Sequence, residues 1–228
     1  MRRNAYRFGR TVRWTTTRYG PWASLTPPEV AALLDGISVP WWIFGGWSIE
    51  AFTGRPREHE DIDIGFFGSD LPAVLAHLLP QVCVWSNHGG TLRPLRTAEE
   101  LLDGCEQLWM RRDGASPWLA DLGLTPHDGT TWISKRDGRI RMPFEQATFV
   151  AADGIRYLRP EVSLHMKAKL QRDKDEADLA AALPLLEPAH VDWLRGTITL
   201  TQPDHPWLSV LDQRRSSIRR GSPPHVEP

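Results

Sequence analysis

The residues with the clearest capacity for chemistry are Asp61 and Asp63, in the segment Asp61-Ile62-Asp63-Ile64. Side chains alternate across a strand, so the two carboxylates would share one face and the two isoleucines the other. Paired carboxylate oxygens suit a hard divalent cation such as Mg2+. Upstream, the apolar run Trp41-Trp42-Ile43-Phe44 meets the pair Gly45-Gly46. Lacking Cβ atoms, this pair lets the backbone come close to a phosphate. Trp47 to Phe52 then begins a helix, whose N-terminus favours anions, and Gly54 stops it. Arg55, Arg57 and His59 form a basic turn just before the acidic strand. The ordered combination describes a site for a metal–nucleoside triphosphate. Neither GxxxxGK[ST] nor GxGxxG is present, so this is neither a P-loop nor a dinucleotide fingerprint.

The elements that must position these residues follow from periodicity and punctuation. Thr26-Pro27-Pro28-Glu29 opens a helix, with Val30, Leu33, Leu34 and Ile37 on its apolar stripe and Gly36 and Pro40 ending it. Trp41 to Phe44 reads as a buried strand. A helix is expected over 71–79 and a strand over 82–85. The segment 86–97 reads as loop, with Gly89-Gly90 as a turn, and 97–105 as a short helix or loop. Trp118 to Leu124 alternates as a strand that puts Leu119, Asp121 and Gly123 on one face. An acid between apolar neighbours costs energy without a counter-ion, and a metal held by Asp61 and Asp63 would supply one. Asp128 competes with Asp121, but Pro126-His127-Asp128-Gly129 is turn chemistry. Arg136-Asp137-Gly138 and Asp153-Gly154 each mark a hairpin. Lys135, Arg136, Arg139 and Arg141 read as solvated strand faces, one of which could point at phosphate. Pro160-Glu161 opens a helix, and further helices are expected over 179–186, 191–194 and 207–211.

Bulk composition sets outer limits. The chain has 228 residues, 41% hydrophobic and 24% charged, with a formal net charge of −1. Those values fit a globular domain with an appended subdomain and imply no polyelectrolyte partner. No apolar run reaches membrane-spanning length. The 2 cysteines, Cys83 and Cys105, have no ligand spacing and read as small hydrophobes in a reducing compartment. A cytoplasmic location is therefore expected. Residues 1–24, rich in arginine, read as a disordered basic extension rather than a secretory signal. Residues 25–160 are expected to form the main domain, 161–212 a helical subdomain, and 213–228 a disordered basic, Pro-rich tail.

The stretch GGWSIEAFTGRPREHEDIDI resembles the nucleotidyltransferase superfamily, and in detail the aminoglycoside 2''-adenylyltransferase and lincosamide nucleotidyltransferase group. The resemblance covers about residues 26–186. It implies an α/β fold of the α+β type: a mixed, largely antiparallel sheet flanked by helices, followed by a C-terminal helical subdomain. It implies an antibiotic-resistance type of chemistry, with AMP moved from ATP, or another nucleotide from its triphosphate, to a hydroxyl of a small molecule such as an aminoglycoside or lincosamide. Gly45, Gly46 and Ser48 would contact the triphosphate, and His59 stands where the family has a histidine. Asp61 and Asp63 would hold Mg2+. The superfamily's third carboxylate would be Asp121, as general base or as a ligand of a second metal. For His59 and Arg57, pairing with Glu58, Glu60 or Asp61 is the structural alternative. The Lys167 to Asp178 segment matches a family pattern that would bring Lys167 to the triphosphate and use Lys174, Asp175 and Asp178 to order a helix pair. By itself that segment reads as a solvated helix face. The competing class is a non-catalytic nucleotide- or partner-binding member, as in a toxin–antitoxin pair. Transfer to a protein or tRNA end would need a basic groove, which the balanced charge does not support.

Overall fold

The computed structural model describes residues 6–7, 10–11 and 15–221, with side chains described for 16–218. The apolar run forms the strand Trp41–Phe44, and the acidic segment feeds the strand Asp63–Phe67. The two pair antiparallel, with Phe44 opposite Asp63. On the other side of Asp63–Phe67 lies Trp118–Thr125, parallel to it and in a register that sets Asp121 opposite Asp63 and Gly123 opposite Gly65. Gln107–Arg111, Cys83–His88 and Thr91–Leu95 extend the sheet antiparallel on that flank. Arg156–Leu158 pairs parallel with Trp41–Phe44 on the opposite flank, and Thr148–Val150 closes that edge. The result is a ten-stranded mixed sheet, largely antiparallel, as expected.

Strand alternation divides this sheet into a dry face and a working face. Ile43, Ile64, Phe66, Leu108, Met110, Leu122 and Leu124 are buried against Val30 and Leu34 of the first helical segment and Leu71, Val74, Leu75 and Leu78 of the helix Leu71–Leu78. The helix Pro27–Leu33 starts on a capping box between Thr26 and Glu29. The other face carries Asp63 and Asp121 in its centre. On one side of them Trp42, Phe67, Trp132 and Phe144 form an aromatic core; on the other Trp22, Trp109 and Trp118 form a second.

The chain after Pro160 is helical: Pro160–Lys167, Asp173–Ala182, Pro188–Thr201 and Trp207–Gly221. Their shared core includes Ile49 from the helix Gly46–Thr53. The helix that follows the glycine pair is thus anchored in the core of these helices, while the strand before it belongs to the sheet. Among the described residues no helix is long and apolar enough to cross a membrane.

Several expectations need correction. The segment 86–97 is not a loop: Cys83–His88 and Thr91–Leu95 form a hairpin about the positive-φ pair Gly89-Gly90. The strand Gln107–Arg111 had no counterpart in the sequence reading. Within the expected extension, Thr15–Thr17 and Gly20–Trp22 form a hairpin that joins the sheet through Trp22 and Trp118. Much of the remainder of 1–24 lies outside the described residues. The final helix runs to Gly221, well into the stretch expected to be disordered, because Leu211 and Ile218 pack on the helical core. Residues 222–228 lie outside the described residues.

Candidate active site

Register does for the carboxylates what spacing alone could not. Asp63-Ile64-Gly65 and Asp121-Leu122-Gly123 run side by side, so two acids sit next to each other above two glycines. The glycines make room for aromatic walls. A Cβ on Gly65 would lie 2.2 Å from the Trp42 indole, and one on Gly123 would lie 3.0 Å from the Phe44 ring. Both acids are half-buried on this floor. The regular strand begins at Asp63 rather than Asp61. The Asp121 N–H nevertheless donates to the Ile62 carbonyl, so the parallel pairing starts beside Asp61.

Burial, then repulsion from Asp61 and Asp121, pushes the Asp63 carboxyl well above the usual carboxylate range. Asp121 is pushed up to about 7, chiefly by burial, with Asp61 adding repulsion. Gln107 and Trp109 act in the opposite direction by donating to Asp121 Oδ2, Trp109 Nε1 at 3.1 Å. The electrostatics therefore describe three acids sharing one neighbourhood. Among the described residues, however, no three of His, Cys, Asp or Glu are gathered closely enough to hold a metal ion unaided.

The glycine turn abuts this cluster. Gly45 has φ 70 and ψ −137, and a Cβ there would lie 2.1 Å from Asp63 Oδ2. Gly46 is equally confined: its Cβ would meet Arg57 Nη2 at 1.7 Å and His59 Nδ1 at 3.1 Å. The helix begins at Gly46, so its first-turn N–H groups stand at this turn. Ser48 does not extend the phosphate-facing surface. It is buried, donates to the Gly45 carbonyl at 2.9 Å and bonds Ser163 Oγ at 2.7 Å. Its side chain shapes the turn from behind.

The basic turn is held by carboxylates, Glu50 and Asp178, where the sequence reading had named Glu58, Glu60 or Asp61. His59 stacks on Trp47, with centroids 3.8 Å apart, and its Nε2 lies 2.8 Å from Glu50 Oε2. Arg57 reaches Asp178 at 3.0 Å. Glu50 had not been identified as its anchor. Lys167 is buried between Asp175 at 3.2 Å and Asp178 at 2.9 Å. It is also near enough to Asp63 to lower that group's pKa against the larger raising effects. Lys174, on the helix Asp173–Ala182, donates to Glu60 at 2.9 Å.

Sequence reasoning missed the far wall of the site. A cavity of about 320 Å3 opens beside Asp63 and Asp121 and is also lined by Glu106, Gln107, Lys135 and Arg136. Gln107 and Trp109 alternate toward Asp121 on their strand, a signal present in Gln107-Leu108-Trp109-Met110-Arg111. Asp128 is exposed in the small sheet and is not among these residues. A larger cavity, about 960 Å3, is lined by Leu25, Trp47, Leu119 and Tyr157 and includes none of the three acids. We assign the chemistry to the smaller one, where the titratable groups are.

Residues 28–116 match the family model described as aminoglycoside-2''-adenylyltransferase. The chain is 36% identical over 115 residues to a 2''-aminoglycoside nucleotidyltransferase of Escherichia coli, and equally to one of Klebsiella pneumoniae. The matched stretch is 49% of this chain and covers 63% of the length of those relatives. Among solved structures, it is similar to a lincomycin-bound lincosamide antibiotic adenylyltransferase, at 18% identity and TM-score 0.47, over 69% of this chain and 96% of that one. It is also similar to ANT(2'')-Ia in complex with adenylyl-2''-tobramycin, at 18% identity and TM-score 0.40, over 85% of this chain and 94% of that one.

Proposed function

We propose that this protein transfers a nucleotide, AMP from ATP first among the choices, to a hydroxyl group of a small molecule. The observation that carries the reading is the register of Asp63 with Asp121 on adjacent parallel strands, with Gly45 against Asp63. The relatives' names support it, and the aminoglycosides and lincosamides in those names are the first acceptors to test. The setting would be the cytosol, where nucleoside triphosphates are made.

The donor set fits Mg2+. Asp61, Asp63 and Asp121 offer only hard oxygens, and burial with mutual repulsion raises the proton affinity of two of them, a tension that a cation would relieve. Mg2+ is commonly bound by one or two carboxylates completed by phosphate oxygens and water, which matches a cluster that is not a closed cage. Such an ion, when bound, neutralises the triphosphate and the charge on the departing pyrophosphate. The chain's own residues do the rest. The glycine turn admits a phosphate at contact distance. Lys167, held by Asp175 and Asp178, adds positive potential beside Asp63. Asp121, with Oδ2 occupied by Gln107 and Trp109, keeps Oδ1 for the acceptor's hydroxyl proton. The hydroxyl oxygen bonds the α-phosphorus, the bond to the β-phosphate bridging oxygen breaks, and pyrophosphate leaves.

The test is pyrophosphate release from ATP and Mg2+ over an acceptor panel. Release that persists unchanged in Asp63→Asn would rule the assignment out. A non-catalytic nucleotide binder is the second reading, favoured by the closed ion pairs around Lys167. Mg2+-dependent ATP binding with no turnover on any acceptor would select it.

A further inference from the structure

The basic groups around the acids fall into two sets on opposite sides. The first lies by Asp61 and Asp63, next to the glycine turn: Arg57, Lys167, Arg172 and Lys174. Each member has a carboxylate partner at 3.2 Å or less: Arg57 on Asp178, Lys167 on Asp175 and Asp178, Arg172 on Asp175, and Lys174 on Glu60. The second set, Lys135 and Arg136, lies beyond Asp121 and lines the 320 Å3 cavity. Lys135 Nζ stands 3.7 Å from where a Cβ on Gly123 would be, one strand repeat past Asp121 on the same face.

This second set is not balanced. Lys135 donates to the Glu106 carbonyl at 2.9 Å, and its carboxylate partner, also Glu106, is 3.9 Å away and 52% exposed. Arg136 donates to the Met166 carbonyl at 3.1 Å, and among the described residues no carboxylate lies within ion-pair distance of it. Burial depresses the pKa of both groups. Nearby His165, bonded to Ser134, is pushed down to about 4 and adds no charge at neutral pH. The remaining walls are apolar, from Trp42, Phe44, Trp132, Leu158 and Met166.

We propose that the acceptor carries an anionic group, a carboxylate or a phosphate, which Lys135 and Arg136 bind while its hydroxyl lies at Asp121. The proposal rests on the transfer reading above and names its substrate class. A half-buried Lys135 and an exposed Arg136, with one ion-pair partner between them, favour an incoming anion, and a polyamine would meet like charge there. The cavity is also at the small end of ligand sites. The triphosphate is anionic too, but the glycine turn that would receive it lies beyond Asp63, across the strand pair from Lys135.

The test is calorimetric titration of the full chain with Mg2+ and a nonhydrolysable ATP analogue. The ligands are a matched set: glucuronate, glucose 6-phosphate, glucose, glucosamine, and tobramycin as polycation. We expect at least one acid to bind about tenfold more tightly than glucose or glucosamine. Lys135→Gln should erase that preference and Lys135→Arg should keep it, while affinity for the ATP analogue changes by less than roughly threefold. Three results would overturn the proposal: no dependence on charge across the set, tighter binding of glucosamine or tobramycin, or loss of the ATP analogue in Lys135→Gln. Failure of the ATP analogue to bind the wild-type chain would instead remove the transfer reading, with the charge ranking of the sugars still measured.

Discussion

Adding one methyl group at Gly45 separates the active-site reading from mere fold. In Gly45→Ala the new Cβ would sit 2.1 Å from Asp63 Oδ2, whereas ordinary contact begins at 3.4 Å, so the carboxylate must retreat by 3.4 − 2.1 = 1.3 Å. A catalytic group displaced by about 1 Å costs on the order of 100-fold in rate. The backbone cost is separate. With φ 70 and ψ −137 the site favours glycine, and an alanine there is strained by about 1–3 kcal/mol. Gly36→Ala is the control: its φ is +75, but nothing lies within 4 Å of the added Cβ. It should lose about 1–2 kcal/mol of stability with activity unchanged. Pyrophosphate release and thermal melts on both variants decide the matter. Loss of stability in both, with a rate loss of about 100-fold or more in Gly45→Ala alone, is expected. Wild-type turnover in Gly45→Ala, or an equal rate loss in Gly36→Ala, would refute the placement of Asp63 against the glycine turn.

Three further outcomes follow from the same geometry. Asp121 is raised from 3.8 to about 7, so the folded metal-free protein binds more protons than the unfolded chain between those values. Its contribution is present below pH 4 and is lost as pH rises towards 7, by at most about 4 kcal/mol. Denaturation at pH 5 and pH 8 in EDTA should show wild type losing ground against Asp121→Asn, and the buried His165, depressed to about 4, cancels in that comparison. Lys167→Met leaves Asp175 and Asp178 without their shared cation and should cost about 3–5 kcal/mol in urea melts, together with weaker ATP binding. Ser48→Ala loses the bonds to Gly45 and Ser163 and should cost about 1–3 kcal/mol. A Ser48→Ala protein that keeps its stability but loses ATP affinity would show that the hydroxyl touches phosphate after all.

The signature segment could be read from sequence because its properties are local. Alternation put Asp61 and Asp63 on one side, and a glycine pair needs no partner to reveal a tight approach. Asp121 was found on its strand by the same alternation. Its register with Asp63 is a long-range fact that no local pattern encodes. Gln107 and Trp109 escaped notice because Gln107 and Arg111 interrupt the apolar run on a short strand. Lys135 and Arg136 looked like solvated hairpin residues; Arg136 is exposed, and the docking of that hairpin on Met166 brings both to the cavity wall. Ser48 has the right chemistry for phosphate, but its helix turns it towards Ser163. The hairpin over 15–22 was hidden by an arginine-rich composition, although Trp22 stacks edge-on against Trp109 at 4.9 Å.

The site works against the stability of the domain that builds it. Asp63 and Asp121 are brought together by parallel strands whose other residues, Ile64, Leu122 and Leu124, are buried regardless of what the acids do. The apolar face therefore holds two like charges at a separation they would not choose, and both acids respond by taking up protons more readily. Nearby cations could have relieved this, but Lys167 is drawn off by Asp175 and Asp178, and Lys135 by Glu106. What remains unmet is a divalent positive charge at the acids and negative charge on the Lys135 and Arg136 flank, the cations by the glycine turn being already paired. A metal–triphosphate at the glycine turn would meet the first need and leave the Lys135 side for the molecule that receives the nucleotide. The charge imbalance of the site is thus one that the two substrates of the proposed transfer would relieve together.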